Sequence, residues 1–149
     1  LIDFGGNIIA FGEKPDSSFW RIGIKNPFGG EVSLAVKVKN QMVITSGGYE
    51  RFFTDENQKK YIHIFDGKTG FPVENEIESV TIICENGLYA DTLSTALFII
   101  GSENAVSFWK ERKDFQMIIL QKDGSILYTS PLESQIEILS EFSEICVID

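Results

Sequence analysis

An aspartate and a threonine four residues apart are the pair in this sequence best suited to hold a divalent cation. Asp91 and Thr95 lie in the polar stretch 89–96, and residues four apart share one face of a helix. A carboxylate and a hydroxyl are hard oxygen ligands of the kind that Mg²⁺ takes alongside water and bound phosphate. The same spacing also fits an ordinary helix start, in which Asp91 caps the first turn and Ser94 and Thr95 bond to backbone carbonyls.

The only histidine of the chain, His63, stands just before a polar loop. Period-2 alternation predicts a strand over residues 61–65, which would place His63 and Phe65 on one face. An imidazole beside a polar, positively charged loop could combine proton transfer with anion binding. A lone histidine on a strand is also commonly structural, and this loop is equally typical of simple turns. The loop residues are Asp66, Gly67, Lys68, Thr69 and Gly70.

A third segment, residues 45–51, places two glycines directly after a predicted strand. Consecutive backbone N–H groups beside hydroxyls can form an anion-binding nest. This pattern predicts that Ser46 and Gly47 contact a phosphate of a nucleotide. A glycine-containing strand connection with no ligand is the alternative.

Strands are predicted to position these segments over most of the chain. The turn at residues 26–30 separates the second and third strands, and Asn40-Gln41 is predicted to close a hairpin between the third and fourth. The predicted strands cover residues 7–12, 20–25, 32–39, 42–46, 61–65, 79–84, 115–121, 126–129 and 144–148.

Two helices are predicted between the strands. Apolar residues at spacings of three and four indicate a helix over residues 90–100 that ends at Gly101. Ser102 is predicted to cap a second helix over residues 103–112. Many strands with a helical pair inserted among them indicate an α+β fold with mostly antiparallel sheets, formed as a single domain over residues 1–149.

Composition excludes several function classes. The 149 residues carry a net charge of −9, which argues against binding to a nucleic-acid backbone. No apolar run approaches the length of a transmembrane span. Two cysteines and one histidine are too few for a Cys/His zinc site or a disulfide framework.

Four segments, in this order and spacing, resemble the ApbE family of flavin transferases. The resemblance extends from about residue 2 to about residue 109. The segments are residues 3–8 (Asp-Phe-Gly-Gly-Asn-Ile), 45–51, 63–72 and 90–98.

The resemblance implies a Mg²⁺-dependent enzyme that transfers FMN from FAD to a threonine or serine hydroxyl of a target flavoprotein, with release of AMP. In that scheme Asp91 and Thr95 are metal ligands, and Ser94 occupies a further ligand position of some members. His63 would be the general base. Phe65 and the loop from Asp66 through Thr69 to Gly70 would contact the flavin nucleotide.

Two alternatives stay open at this point: a Mg²⁺-dependent FAD pyrophosphatase that yields FMN and AMP, and a flavin-binding or structural half-domain without turnover. The resemblance also implies that the chain is the C-terminal portion of such a protein, with the upstream half absent. It further implies an acceptor that is a flavoprotein subunit of a redox complex, and an extracytoplasmic, lipoprotein location.

Overall fold

A computed structural model describes all 149 residues, which form twelve strands, two helices and one short 3₁₀ turn. The strands are Ile2–Asp3 (β1), Asn7–Ala10 (β2), Trp20–Lys25 (β3), Val32–Val38 (β4), Gln41–Gly47 (β5), Phe52–Thr54 (β6), Lys60–Ile62 (β7), Ile77–Cys84 (β8), Gln116–Gln121 (β9), Ile126–Thr129 (β10), Ile136–Ile138 (β11) and Ile145–Ile148 (β12). The helices are Gly87–Ile100 (α1) and Ser102–Arg112 (α2), and the 3₁₀ turn is Ser130–Leu132.

Seven strands form the main sheet in the order β1-β2-β5-β8-β9-β10-β12. Every neighbouring pair is antiparallel except β10 and β12, which run parallel. A second sheet has the order β11-β4-β3, and β6 pairs with β7 in a separate hairpin. The predicted α+β fold with mostly antiparallel pairing is confirmed.

The main sheet is the middle of three layers. Its upper face packs against α1 and α2, where Leu97, Phe98 and Trp109 join Ile82 in one apolar cluster. Its lower face packs against the three-stranded sheet, where Ile83 lies in a second cluster. Alternating side chains of one strand point to opposite faces, so β8, with all eight residues buried, contributes to both cores.

Helix α1 begins at a side-chain cap, whereas α2 does not. The Asn86 side chain accepts a hydrogen bond from the Tyr89 backbone N–H at 3.1 Å, as an N-cap does. Gly101 separates the two helices with a φ of +84°, a left-handed conformation that favours glycine. The prediction that Ser102 caps α2 is wrong, because Ser102 is the first helical residue. The N-cap residue is Gly101, and it provides no side-chain hydrogen bond to the start of the helix.

The predicted hairpin at Asn40-Gln41 is also wrong. Strand β4 belongs to the small sheet and β5 to the main sheet, so the chain changes sheets at Asn40. Leu34 and Val36 of β4 and Val43 of β5 share one core cluster. The two strands therefore face each other across the core, where each buries its apolar face, instead of lying side by side.

The strand predicted over residues 61–65 is shorter than expected, because β7 ends at Ile62. His63 therefore does not share a strand face with Phe65, which forms only an isolated bridge with Pro72. Three short strands had no strong sequence pattern and were not predicted: β1, β6 and β11. They have two or three residues each, too few to show an alternation.

Candidate functional site

Helix α1 lies over β5, and hydroxyl groups form the side-chain hydrogen bonds between them. The Ser46 Oγ is 2.9 Å from the Ser94 Oγ and 3.0 Å from the Thr95 Oγ1. Ser46 is the next-to-last residue of β5, and its side chain lies on the side of the sheet that α1 covers. One hydroxyl of the strand thus joins two hydroxyls of the helix.

Asp91 lies one helical turn before Thr95 and is held by the neighbouring strand β2. The Asn7 Nδ2 donates to one Asp91 carboxylate oxygen at 3.1 Å. Asn7 is paired with Ile44 of β5, so the partners of Asp91 and Thr95 lie on adjacent strands. The Asp91 carboxylate and the Thr95 hydroxyl therefore both lie over the neighbouring strands β2 and β5 of the main sheet.

The three oxygen-bearing residues of α1 differ in exposure. Asp91 and Thr95 are exposed, whereas Ser94 is fully buried and its hydroxyl bonds to the Asp91 carbonyl at 3.0 Å. The structure thus brings Asp91, Ser94 and Thr95 together, with Ser94 engaged by the backbone. Asp91 is not the N-cap of α1, since Asn86 occupies that position.

The donor set suits a hard cation that keeps much of its water. It contains one carboxylate, the hydroxyl of Thr95 and the amide of Asn7, and nowhere in the structure do three or more His, Cys, Asp or Glu side chains form a group that could hold a metal ion. Mg²⁺ is commonly bound in proteins through one or two carboxylates plus water and substrate phosphate. The residues present therefore fit Mg²⁺.

His63 is exposed and its ring orientation is set by the backbone of Arg51. The His63 Nδ1 is 3.0 Å from the Arg51 carbonyl oxygen, which also accepts the His63 backbone N–H at 3.1 Å. A carbonyl can only accept, so Nδ1 carries the proton in this contact. The lone pair of Nε2 remains available, as a general base requires.

A cleft of about 480 Å³ lies between the two sheets at the end of β5, beside the turn after β1. His63 and Ser46 both line it, together with the cations Lys25 and Arg51 and the glycine pair at residues 5–6. The Ser46 hydroxyl itself points to the α1 side of the main sheet, where it contacts Thr95, so Ser46 lies at the boundary between this cleft and the polar side chains of α1.

Tyr49 also lines this cleft, and its environment excludes it as a base. Burial, followed by the nearby charges of Glu50 and Glu78, raises the pKa of Tyr49 to about 12. The phenol therefore stays protonated near neutral pH.

The predicted anion-binding nest at Gly47 and Gly48 is not formed. Gly47 is paired with Ser79 in the main sheet, and the Gly48 N–H donates to the Glu78 carbonyl at 3.0 Å. The glycine at position 47 has a packing reason instead. A Cβ atom there would lie 2.6 Å from the Tyr49 ring, so only glycine allows the ring to pack so closely.

The loop after His63 forms a compact turn on the surface. The Asp66 carboxylate accepts the Lys68 N–H at 2.8 Å, and the Thr69 hydroxyl accepts the Phe71 N–H at 3.3 Å. Gly70 supplies the left-handed φ of +73° that closes the turn. Phe65 is 53% exposed, and neither it nor Asp66, Thr69 or Gly70 lines the cleft that contains His63.

Asn7 is the site residue to which sequence reasoning assigned no role. It stands in the Gly-Gly-Asn segment at residues 5–7, so its signal was the glycine turn directly before a strand. Only the pairing of β2 with β5 brings it to Asp91, which is 84 residues away in the chain.

The fold is an α+β domain whose candidate site has a carboxylate and a hydroxyl suited to a hard cation on one helix, and an exposed imidazole in a nearby loop. The chain belongs to the ApbE family, whose family model matches residues 1–119.

The similar proteins are much longer than this chain. It is 37% identical to an FAD:protein FMN transferase of Klebsiella pneumoniae and 32% identical to one of Treponema pallidum, matching 88% and 93% of this chain but only 40% and 41% of theirs. The crystal structure of the ApbE protein of Thermotoga maritima matches with a TM-score of 0.78 at 33% identity, over 87% of this chain and 42% of that one. The Pseudomonas stutzeri flavinyl transferase ApbE, in its apo form, matches with a TM-score of 0.71 at 31% identity, over 89% and 41%. The chain therefore spans about 40% of the length of the relatives it matches.

Proposed function

We propose that this chain supplies the metal ligands and the general base of an FAD:protein FMN transferase. The substrate would be FAD, the acceptor a threonine or serine hydroxyl of a target flavoprotein, and the leaving group AMP. Membership of the ApbE family and the names of the relatives support the reaction.

One observation carries the proposal for this chain's own residues. The adjacent strands β2 and β5 provide the hydrogen-bond partners of the Asp91 carboxylate and the Thr95 hydroxyl on α1. Asn7 bonds to Asp91 and Ser46 contacts Thr95, so both oxygens are oriented before any ligand binds. Preorganised polar groups stabilise developing charge more effectively than mobile ones, since no reorganisation accompanies the reaction.

His63 would remove the proton of the acceptor hydroxyl. Its Nδ1–H is held by the Arg51 carbonyl, which leaves Nε2 as the proton acceptor. As the hydroxyl oxygen bonds to the FMN-side phosphorus, the bond from that phosphorus to the AMP oxygen breaks. AMP leaves with the bonding electrons, and the proton of the hydroxyl goes to His63.

Asp91 and Thr95 would hold Mg²⁺. When bound, Mg²⁺ neutralises phosphate charge in such reactions. The amide of Asn7 would keep one carboxylate oxygen of Asp91 in place. Arg51 in the cleft that contains His63 would attract the anionic substrate, whereas Lys25 is paired with Glu50 at 3.0 Å.

The acceptor is proposed to be a subunit of a redox complex, and the location is proposed to be extracytoplasmic, as a lipoprotein. Both rest on the family resemblance. No helix of the structure is long and apolar enough to cross a membrane.

The metal assignment is tested by the variant Asp91→Ala in the gene product that contains this chain. We expect Mg²⁺-dependent release of AMP from FAD to fall at least about a hundredfold, because the only carboxylate of the donor set is removed. AMP is measured by chromatography. The variant Asp114→Ala, which changes a carboxylate outside the site, should retain turnover. Normal AMP release by Asp91→Ala would reject the assignment.

The base assignment is tested by His63→Ala. A base acts mainly in the transition state, so we expect FMN transfer to slow by roughly 10²- to 10⁴-fold with little change in FAD affinity. Covalent flavin fluorescence on the acceptor measures transfer, and release of AMP without covalent flavin would instead indicate a pyrophosphatase. Loss of FAD affinity with unchanged turnover of bound FAD would contradict the base role.

A further inference from the structure

The β6–β7 hairpin places His63 at its base, and no strand of another sheet pairs with it. His63 follows β7 directly, and its backbone N–H donates to the Arg51 carbonyl beside β6. This bond and the contact of Nδ1 with the same carbonyl therefore lie within the hairpin. The position of the imidazole relative to Ser46 and α1 depends on how the hairpin as a whole is held against the main sheet.

One face of the hairpin, which carries Lys60 and Ile62, meets the rest of the molecule. Side chains two residues apart in a strand share one face. Ile62 packs against the apolar cluster beneath the helices. Tyr61, on the opposite face, stacks on Phe53 with ring centroids 4.9 Å apart. Lys60 is therefore directed toward the main sheet together with Ile62.

Glu78 of β8 is the charged partner of Lys60. The register of β8 with β9 shifts between Ile77 and Ser79, which leaves Glu78 without a partner on β9. A bulge of this kind redirects a side chain. The Glu78 carboxylate lies 3.5 Å from the Lys60 ammonium, and the Glu78 carbonyl accepts the Gly48 N–H at 3.0 Å. The bulge thus contacts both the chain after β5 and the hairpin.

The hairpin has two ion pairs with the rest of the chain, and they differ in exposure. In the Lys60–Glu78 pair the side chains are 39% and 11% exposed, whereas in the Lys59–Glu74 pair they are 51% and 68% exposed. Water and salt screen a shielded pair less than an exposed one, and exposed pairs contribute little to stability. The Lys60 ammonium also lies 4.5 Å from the centroid of the Phe52 ring, so it contacts β6 as well as β8.

We propose that Lys60 and Glu78 are positioning residues for His63, because their ion pair holds the hairpin against the main sheet and so fixes the place of the imidazole beside Ser46. This inference rests on the proposed function, since it concerns how the base of that reaction is held. Neither Lys60 nor Glu78 lines the cleft that contains His63. A displacement of about 1 Å can slow a reaction by roughly 100-fold, so the pair affects turnover more than binding.

The first measurement needs neither FAD nor metal, because His63 is the only histidine of the chain and its Hε1 proton gives a single NMR resonance. We expect Lys60→Gln and Glu78→Gln each to move and broaden this resonance, since the released hairpin occupies more than one position. Lys60→Arg retains the charge and should leave the resonance unchanged. Lys59→Gln and Glu74→Gln remove the exposed pair of the same hairpin and should also leave it unchanged.

The NMR comparison also separates a positional effect from an electrostatic one. Lys60→Gln removes a positive charge and Glu78→Gln removes a negative charge, so a direct effect of charge on His63 would shift its pKa in opposite directions. Loss of the ion pair predicts the same broadening in both variants. Opposite shifts without broadening would overturn the proposal. Thermal melting of each variant establishes that it is folded.

The second measurement is FMN transfer by the gene product that contains this chain. We expect kcat to fall about tenfold in Lys60→Gln and in Glu78→Gln, while KM for FAD changes by less than about twofold. The double variant should be no slower than the slower single variant, because both changes remove one interaction. Lys60→Arg should restore transfer, and the variants of the Lys59–Glu74 pair should keep normal kcat.

The proposal is overturned if Glu78→Gln leaves both the histidine resonance and kcat unchanged. It is also overturned if variants of the exposed pair have the same effect, or if the effects of the two single changes add in the double variant. FMN transfer by the unsubstituted protein tests the proposed function separately. Normal transfer with an unperturbed histidine in the variants rejects only the positioning role, whereas a perturbed histidine without any transfer by the unsubstituted protein rejects only the transferase.

Discussion

Ser46 is the strand residue whose hydroxyl contacts the polar side chains of α1. Its hydroxyl contacts both Ser94 and Thr95 of α1, and the residue lines the cleft that contains His63. Groups that orient metal ligands commonly contribute to metal affinity even though they do not touch the ion. We propose a positioning role for Ser46, and the phosphate contact predicted from its glycine-rich segment stays a prediction.

We expect Ser46→Ala to weaken Mn²⁺ binding roughly tenfold, because Thr95 loses the partner that orients its hydroxyl. Mn²⁺ serves as a spectroscopic probe for Mg²⁺, and its binding is measured by electron paramagnetic resonance without FAD. Ser107→Ala is the matched control, since that hydroxyl bonds only to the Glu103 carbonyl on α2. Unchanged Mn²⁺ affinity in Ser46→Ala would show that Thr95 needs no support from β5.

At the scale of elements, the start of α2 depends on a residue from another part of the chain. Glu76, in the segment before β8, accepts hydrogen bonds from the Ser102 backbone N–H at 2.7 Å and from the Ser102 hydroxyl at 2.6 Å. A carboxylate at a helix N-terminus satisfies free N–H groups and interacts favourably with the helix dipole. Glu76 thus replaces the side-chain cap that the sequence around α2 does not supply.

The hydrogen bonds from Ser102 hold the pKa of Glu76 below its ordinary value of 4.5. A carboxyl group whose pKa is lower in the folded than in the unfolded protein stabilises the fold when the pH is above the unfolded-state pKa. This contribution is lost as the pH falls through the folded-state pKa. We expect Glu76→Ala to lower the free energy of unfolding by about 1 kcal/mol at pH 7. The difference from the unsubstituted protein should shrink below pH 4.5.

Urea denaturation at pH 7 and at successively lower pH measures this effect. Glu133→Ala, at an exposed position outside α2, is the control and should show no such loss. A Glu76→Ala destabilisation that stays constant as the pH falls would mean that the carboxylate charge does not contribute to the cap.

At the scale of the whole molecule, one strand serves two cores. Ile82 of β8 packs under the helices and its neighbour Ile83 packs over the three-stranded sheet, and both are at most 1% exposed. The site lies on the helix side of this layer, with α1 resting on β5 and β8. The positions of Asp91 and Thr95 relative to β2 and β5 thus depend on the packing of the whole upper layer.

We expect Ile82→Ala and Ile83→Ala each to lower the free energy of unfolding by about 2–5 kcal/mol, because each leaves a cavity in a close-packed core. Ile138→Ala, at a position 37% exposed on β11, should cost less than about 1 kcal/mol. Urea unfolding followed by circular dichroism and by tryptophan fluorescence measures all three. A small effect of Ile83→Ala would mean that the three-stranded sheet contributes little to stability.

The long elements could be predicted from the sequence because their patterns are local. The period-2 alternation of β3 and the 3.6-residue period of α1 record which face of each element is buried. The cap of α2 could not be predicted, since Glu76 lies 26 residues before Ser102. The pairing of β4 could not be predicted either, because an alternating strand fits equally beside β5 or across the core from it.

The sequence by itself determined the chemistry that is available: one histidine, an aspartate and a threonine at helical spacing, and an α+β arrangement of elements. These follow from residue types and local periodicity, which need no knowledge of distant contacts. Only the tertiary structure decided that Asn7 bonds to Asp91, that Ser46 bonds to Thr95, and that the glycines at 47 and 48 serve packing. Those relations depend on which strands are neighbours in a sheet, and strand pairing is selected by burial of the whole core, not by any one segment.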